Sequence, residues 1–178
     1  MVLSVRSVLK LPQSLNFKII QKEKIFSVKG FLGSYSFFLH LPLLYLDFSK
    51  KLQFYYINEI LPNFVNITNI VMCQLFVGII LGYHKVINIV GIGYYVNIKH
   101  KTKLIFTLGY SHLVSIQIPN FVVVKSRKRR KISLKSIFLV ELNNFASVIK
   151  NFKLPSAYKE KGIFFLSEPV TKKQGKKT

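Results

Sequence analysis

The chain has 178 residues, enough for one ordinary domain or two small ones. Its 27 Lys and Arg stand against 6 Asp and Glu, a net charge of +21 that is far beyond what solubility requires and that calls for a polyanionic partner. Half of the residues are hydrophobic, with 16 Phe and 9 Tyr, which excludes a merely basic disordered arm.

In chain order, residues 1–10 carry Arg6, Lys10, several serines and no acid, a composition compatible with the start of a mitochondrial targeting peptide but too short to define one. Residues 15–20 and 24–29 are extended runs joined by a polar Gln-Lys-Glu, the pattern of a hairpin. Gly30 and Gly33 bracket a turn, and residues 34–39 and 51–57 again have the Tyr- and Phe-rich character of strands. Pro62 and Asn63 open a helix that Gly82 closes. Ile67, Val71, Leu75 and Ile79, with Ile70 beside them, are predicted to line one face, and Phe76, Val77 and Ile80 make the far side apolar too, so the helix should be covered on more than one side. Residues 67–81 fall short of the roughly 20 apolar residues a bilayer core needs, so no membrane span is expected. Cys73, in the same helix, is the only cysteine, which excludes an internal disulfide and a cysteine zinc cage.

After Gly82 the order starts again. Residues 86–90 and 94–98 are extended, Leu104, Phe106 and Leu108 alternate on one strand, and Val114, Ile116 and Ile118 alternate on the next. Residues 121–124 and 132–137 are further strands, joined by a basic loop at 125–131. Phe138, Leu142, Phe145, Ile149 and Phe152 then form the apolar stripe of a second helix. Each half thus has several strands followed by one helix, which predicts an α+β fold of two similar small domains, each an antiparallel sheet system packed against one helix. The boundaries are set at 1–13 for an N-terminal extension, 14–82 and 83–154 for the domains, and 155–178 for a basic tail.

Catalysis is not supported. The six acids, Glu23, Asp47, Glu59, Glu141, Glu160 and Glu168, show no spacing for an acid and base pair, and His40, His84, His100 and His112 are scattered without metal-ligand spacing. Gly91-Ile92-Gly93 precedes a strand rather than a helix, so it fails as a dinucleotide fingerprint. No enzyme activity, cofactor or metal is expected, and a chain so charged repels its own copies, so an obligate homo-oligomer is not expected either.

Positive charge instead concentrates at three places: residues 99–103 with Lys99, Lys101 and Lys103; residues 125–131 with Lys125, Arg127, Lys128, Arg129, Arg130 and Lys131; and residues 159–177. No acid balances the first two, although a run of charge can also be a solvated loop. If about six of these cations neutralise phosphates, affinity should fall with salt at a log-log slope of roughly −5 on a duplex. RNA is favoured over DNA, since no basic helix is polar enough for a major groove while loops carrying Tyr, His and Lys suit irregular RNA. One such loop, residues 109–112 (Gly-Tyr-Ser-His), also suits a plain hairpin turn. A second is residues 154–162 (Leu-Pro-Ser-Ala-Tyr-Lys-Glu-Lys-Gly), where Pro155 stops the helix, Gly162 allows a turn or close approach, Tyr158 offers a ring and Lys159 and Lys161 offer charge.

Residues 154–163 also resemble the C-terminal signature of the universal large-subunit ribosomal protein six family, a proline-led Tyr-Lys-Gly-Lys-Gly-Ile segment. Four further motifs recur in that family's order: Val-Lys-Gly at 28–30 with Gly33, Val-Gly-Ile-Gly-Tyr at 90–94, Gly-Tyr-Ser-His at 109–112, and Lys-Lys-Gln-Gly-Lys-Lys at 172–177. The resemblance spans residues 9–177. It implies two similar α+β domains, no enzymatic activity, and a C-terminal domain and tail that bind large-subunit rRNA near the factor-binding region and the sarcin-ricin loop. Its expected partners are that rRNA, neighbouring large-subunit proteins and nearby translation factors. By position, Tyr94, Tyr110, Ser111, His112, Tyr158, Lys159, Lys161, Gly162, Lys172, Lys173, Lys176 and Lys177 are its implied rRNA-binding residues, beside the two basic clusters above. The sequence departs from the family at Glu160, where glycine is preferred, at Leu113, where proline is usual, and at 125–131, which is more basic.

Richness in Ile, Phe, Tyr, Asn and Lys, with no Trp and a single Asp, matches AT-rich codons and an organellar gene, the mitochondrion preferred over the plastid. The competing reading is a basic protein on an anionic membrane surface.

Overall fold

The computed structural model describes residues 4–10, 15–20, 25–38, 44–47, 51–56, 62–100, 102–169 and 173–175, which divide into two compact units, Met1–Gly82 and Tyr83–Thr178. The fold is α+β, as expected.

In the first unit, strands β1 (Ser4–Lys10), β2 (Asn16–Ile20), β3 (Ile25–Gly30), β4 (Gly33–Phe38), β5 (Leu44–Asp47) and β6 (Lys51–Tyr56) precede helix α1 (Pro62–Ile80). They form two antiparallel sheets, ordered β1-β6-β5 and β2-β3-β4. The predicted hairpin is present as β2 and β3, with Asn16 opposite Lys29 and Ile20 opposite Ile25. Residues 4–10, expected to lie in an extension outside the domain, instead form a strand that pairs with β6 from Ser4 opposite Tyr56 to Lys10 opposite Lys51. Their Ser-Val-Arg-Ser-Val-Leu-Lys sequence has no regular alternation, and the pairing register shifts between Val5 and Ser7, so the strand was not legible as one.

Helix α1 also differs from expectation in the face it buries. Among the described residues of the helix, Met72, Phe76 and Ile79 are the buried side chains, while Ile67, Ile70, Val71 and Val77 are exposed. A helix apolar nearly all round gives periodicity little to choose between. The choice is made in three dimensions, where the Leu32 N–H, in the β3–β4 turn, donates to the Ile79 carbonyl at 3.2 Å and holds the C-terminal turn of α1 against β3.

The second unit runs β7 (Tyr83–Val90), β8 (Tyr95–Lys99), β9 (Lys103–Thr107), β10 (Val114–Gln117), β11 (Val122–Lys128), β12 (Lys131–Ser136), α2 (Leu139–Asn151) and β13 (Gly162–Phe165). Its sheets are ordered β11-β12-β7-β13 and β10-β9-β8. If β7 takes the place of β1, β12 of β6 and β11 of β5, the larger sheet repeats the β1-β6-β5 order, and β8-β9-β10 repeats β2-β3-β4. One plan is therefore used twice, each time closed by a helix, and β13 is the addition in the second copy.

The second core is built from the predicted alternations. Leu104 and Phe106 of β9 are buried with Leu108 just beyond it, as are Leu142, Phe145 and Ile149 of α2, together with Ile87, Ile89, Ile132, Leu134 and Ile163. Helix α2 packs on β7, β12 and β13. Each fully buried side chain of this size contributes about 1.5–3 kcal/mol, which makes this sheet and helix a rigid base for the loops at its ends.

Candidate nucleic-acid interface

Two hairpin ends carry the first set of candidate residues. In the β8–β9 hairpin Lys99 lies directly opposite Lys103, and the chain turns through Thr102, whose N–H donates to the Lys99 carbonyl at 3.2 Å. Lys101 lies outside the described residues. In the β11–β12 hairpin Lys128 lies opposite Lys131, with Arg129 and Arg130 at the turn. The loop expected at residues 125–131 is thus strand, two-residue turn and strand: Lys125, Arg127 and Lys128 belong to β11, bulged between Ser126 and Lys128. A run basic at every position except Ser126 carries no apolar alternation, so the strand could not be seen in it.

That turn is fixed by its backbone. The Arg129 carbonyl accepts from the Val96 N–H and the Arg130 carbonyl from the Ile89 N–H, each at 2.9 Å, while the Ser126 hydroxyl donates to the Lys128 carbonyl at 3.0 Å. Lys125, Lys128, Arg129, Arg130 and Lys131 are all exposed, as are Lys99 and Lys103. Like charges directly opposite across a sheet are destabilising. No Asp or Glu occurs between Glu59 and Glu141 to offset this, so the two Lys–Lys pairs favour an anion between them.

The second set gathers around the C-terminal end of α2. Tyr110 donates its hydroxyl to the Phe152 carbonyl at 3.0 Å, and the Lys153 ammonium lies 4.2 Å from the centre of the Tyr110 ring. His112 is nearly parallel to that ring, 19° from it with centroids 6.0 Å apart, and Ser111 between them is exposed. Phe152 anchors this end by an edge contact with Phe106, 5.6 Å between centroids. Tyr94 is half-buried: its ring packs against the core and fills the space where a side chain at Gly91 would stand, so it supports the turn after β7.

The 154–162 stretch closes on itself. The Ser156 N–H donates to the Lys161 carbonyl and the Glu160 N–H to the Ser156 carbonyl, both at 3.0 Å. Gly162, expected to allow a turn or a close approach, is buried: its φ is +151° and a Cβ there would stand 2.6 Å from Pro155 Cα, so the glycine permits the closure. Tyr158, Lys159 and Lys161 are left exposed on the outside of the loop. The Lys173 N–H donates to the Ala157 carbonyl at 3.0 Å, so the basic tail returns to this loop. Lys172, Lys176 and Lys177 lie outside the described residues.

Residues 155–169 are therefore more structured than the tail expected there. β13 pairs with β7, and beyond it the Lys150 ammonium meets Glu168 at 2.6 Å. Lys85, bonded to Asn143 at 3.0 Å, and Lys150 both lie over the Phe165 ring, 4.1 and 5.1 Å from its centre. The hydrogen bond from Lys150 holds the Glu168 carboxyl below its ordinary pKa against a smaller opposing effect of desolvation. Sequence reasoning missed Lys153, which stood between the predicted helix and the predicted tail, and Lys135, which is exposed beside the basic hairpin opposite His84. Among the described residues no three His, Cys, Asp or Glu come together to hold a metal, and no helix is long and apolar enough to cross a membrane.

No protein-family model matches the chain. Among curated proteins it is 32% identical over 167 residues to "Large ribosomal subunit protein uL6" of Mycoplasma pneumoniae, covering 92% of this chain and 88% of that one. The chain belongs to the uL6 family. The uL6 of Alkaliphilus metalliredigens is 27% identical over 175 residues, 94% of each chain, so the likeness to uL6 extends through both units. The uL6c of Arabidopsis thaliana is 34% identical over 100 residues, 56% of this chain and 44% of that one. uL6 proteins are constituents of the large ribosomal subunit and not enzymes.

Proposed function

We propose that the chain is a structural constituent of the large subunit of an organellar ribosome and binds large-subunit rRNA through its second unit. The observation that carries this reading is the pair of exposed hairpin ends where Lys99 opposes Lys103 and Lys128 opposes Lys131 in an acid-free stretch. Phosphates would relieve that repulsion, and the exposed Tyr158 and His112 rings supply faces for unstacked bases. The resemblance of residues 154–163 to the family's signature supports an interface near the factor-binding region and the sarcin-ricin loop, beside other large-subunit proteins. The AT-rich type of composition supports a gene in the mitochondrion. Crosslinking Tyr158 and sequencing the attached RNA tests the reading: large-subunit rRNA of the mitochondrion is expected, and recovery of plastid rRNA would move the compartment.

The exposed Ile67, Ile70 and Val71 of α1 favour a second reading, a protein on an anionic membrane surface. Against it, α1 carries no Lys or Arg, which an interfacial helix uses on its polar face. Flotation with anionic liposomes separates the two readings: the protein should stay with large subunits and leave the lipid fraction empty.

A further inference from the structure

We infer that Lys153 and Tyr110 are positioning residues that hold the 109–112 and 154–162 loops together as one preformed surface for RNA. The inference rests on the rRNA-binding reading and says how that interface is organised.

Residues Phe152 and Lys153 receive both loops. The Phe152 carbonyl accepts the Tyr110 hydroxyl, a contact between residues 42 apart in sequence. The Lys153 carbonyl accepts the Ile163 N–H at 3.0 Å, directly after Gly162 closes the second loop, and the Lys153 N–H donates to Lys150 at 3.2 Å, continuing from α2. Lys153 is half-buried, whereas Lys159 and Lys161 are exposed. Its ammonium, 4.2 Å from the Tyr110 ring centre, is directed by that ring, and the ring face it covers is closed to a base. The pair thus sets where His112 and Tyr158 present their own rings. Holding both loops in the bound arrangement beforehand lowers the ordering cost of binding.

The two roles open to Lys153 differ in what they do to salt dependence. A lysine on a phosphate adds about 0.7–0.9 to the log-log slope, whereas a lysine that orders a loop changes affinity at constant slope. The test uses the full-length chain and a transcript of mitochondrial large-subunit rRNA, titrated over a salt series. Lys153→Met should weaken binding about threefold to tenfold with the slope unchanged. Lys153→Arg should restore affinity, and Lys153→Met should add no loss in a Tyr110→Leu background. If Lys153→Met lowers the melting temperature, Tyr110→Phe, which deletes only the hydroxyl bond, carries the test, with a loss at unchanged slope expected. Wild-type affinity in these variants, a shallower slope, or additive losses from Lys153→Met and Tyr110→Leu would each overturn the inference. A wild-type chain that fails to bind the transcript would overturn the rRNA reading itself, and with it this one.

Discussion

The Lys150 ammonium and the Glu168 carboxylate meet at 2.6 Å, fastening the chain that leaves β13 to the last turn of α2. The contact also makes stability depend on acid. The Glu168 pKa is lowered in the folded state, chiefly by the Lys150 hydrogen bond. Its stabilisation is therefore complete above the ordinary glutamate value, about 4.3, and is lost as pH falls through the lower folded value. Urea midpoints of the wild type and Glu168→Gln should differ by a constant amount from pH 5 to 7 and converge below pH 4.

Gly162 is the position in the 154–162 loop least tolerant of change. A side chain there would meet the Pro155 backbone and would have to hold a φ of +151°. Gly162→Ala should cost about 1–3 kcal/mol, measured as a shift in urea midpoint. Binding to rRNA should weaken as the loop opens, although Gly162 touches no RNA in this account.

Glu160 shows why glycine suits its position. Its φ is 53°, in the left-handed region where a side chain is crowded. Glu160→Gly should be more stable than Glu160→Val by roughly 1–2 kcal/mol. Removing the carboxylate beside Lys159 and Lys161 should also raise rRNA affinity, so Glu160→Gln should bind more tightly than the wild type at low salt.

The sequence made the second core legible because its elements bury one face each. The alternation of Leu104, Phe106 and Leu108 and the spacing of Leu142, Phe145 and Ile149 appear in the structure as the buried surface of β9, the residue after it, and α2. β13 escaped notice for the opposite reason: Gly162, Ile163 and Phe164 are all buried, so four residues offer no alternation and follow a proline that reads as an ending. The motifs around Tyr94 and Gly162 gave no sign of their packing, in which one supports a turn and the other closes a loop. Lys153 had no signal at all, since its place over Tyr110 depends on a loop 42 residues upstream of Phe152.

The exposed cations of the β11–β12 hairpin, carried on a turn fixed by its backbone, are expected to neutralise rRNA phosphates. The most direct measurement is the salt dependence of binding for a variant with Lys128, Arg129, Arg130 and Lys131 all replaced by Gln. Because the turn is held through the Arg129 and Arg130 carbonyls, the fold should survive the change. At about 0.7–0.9 per phosphate contact, the log-log slope should become shallower by about 3. A slope equal to that of the wild type would contradict the account.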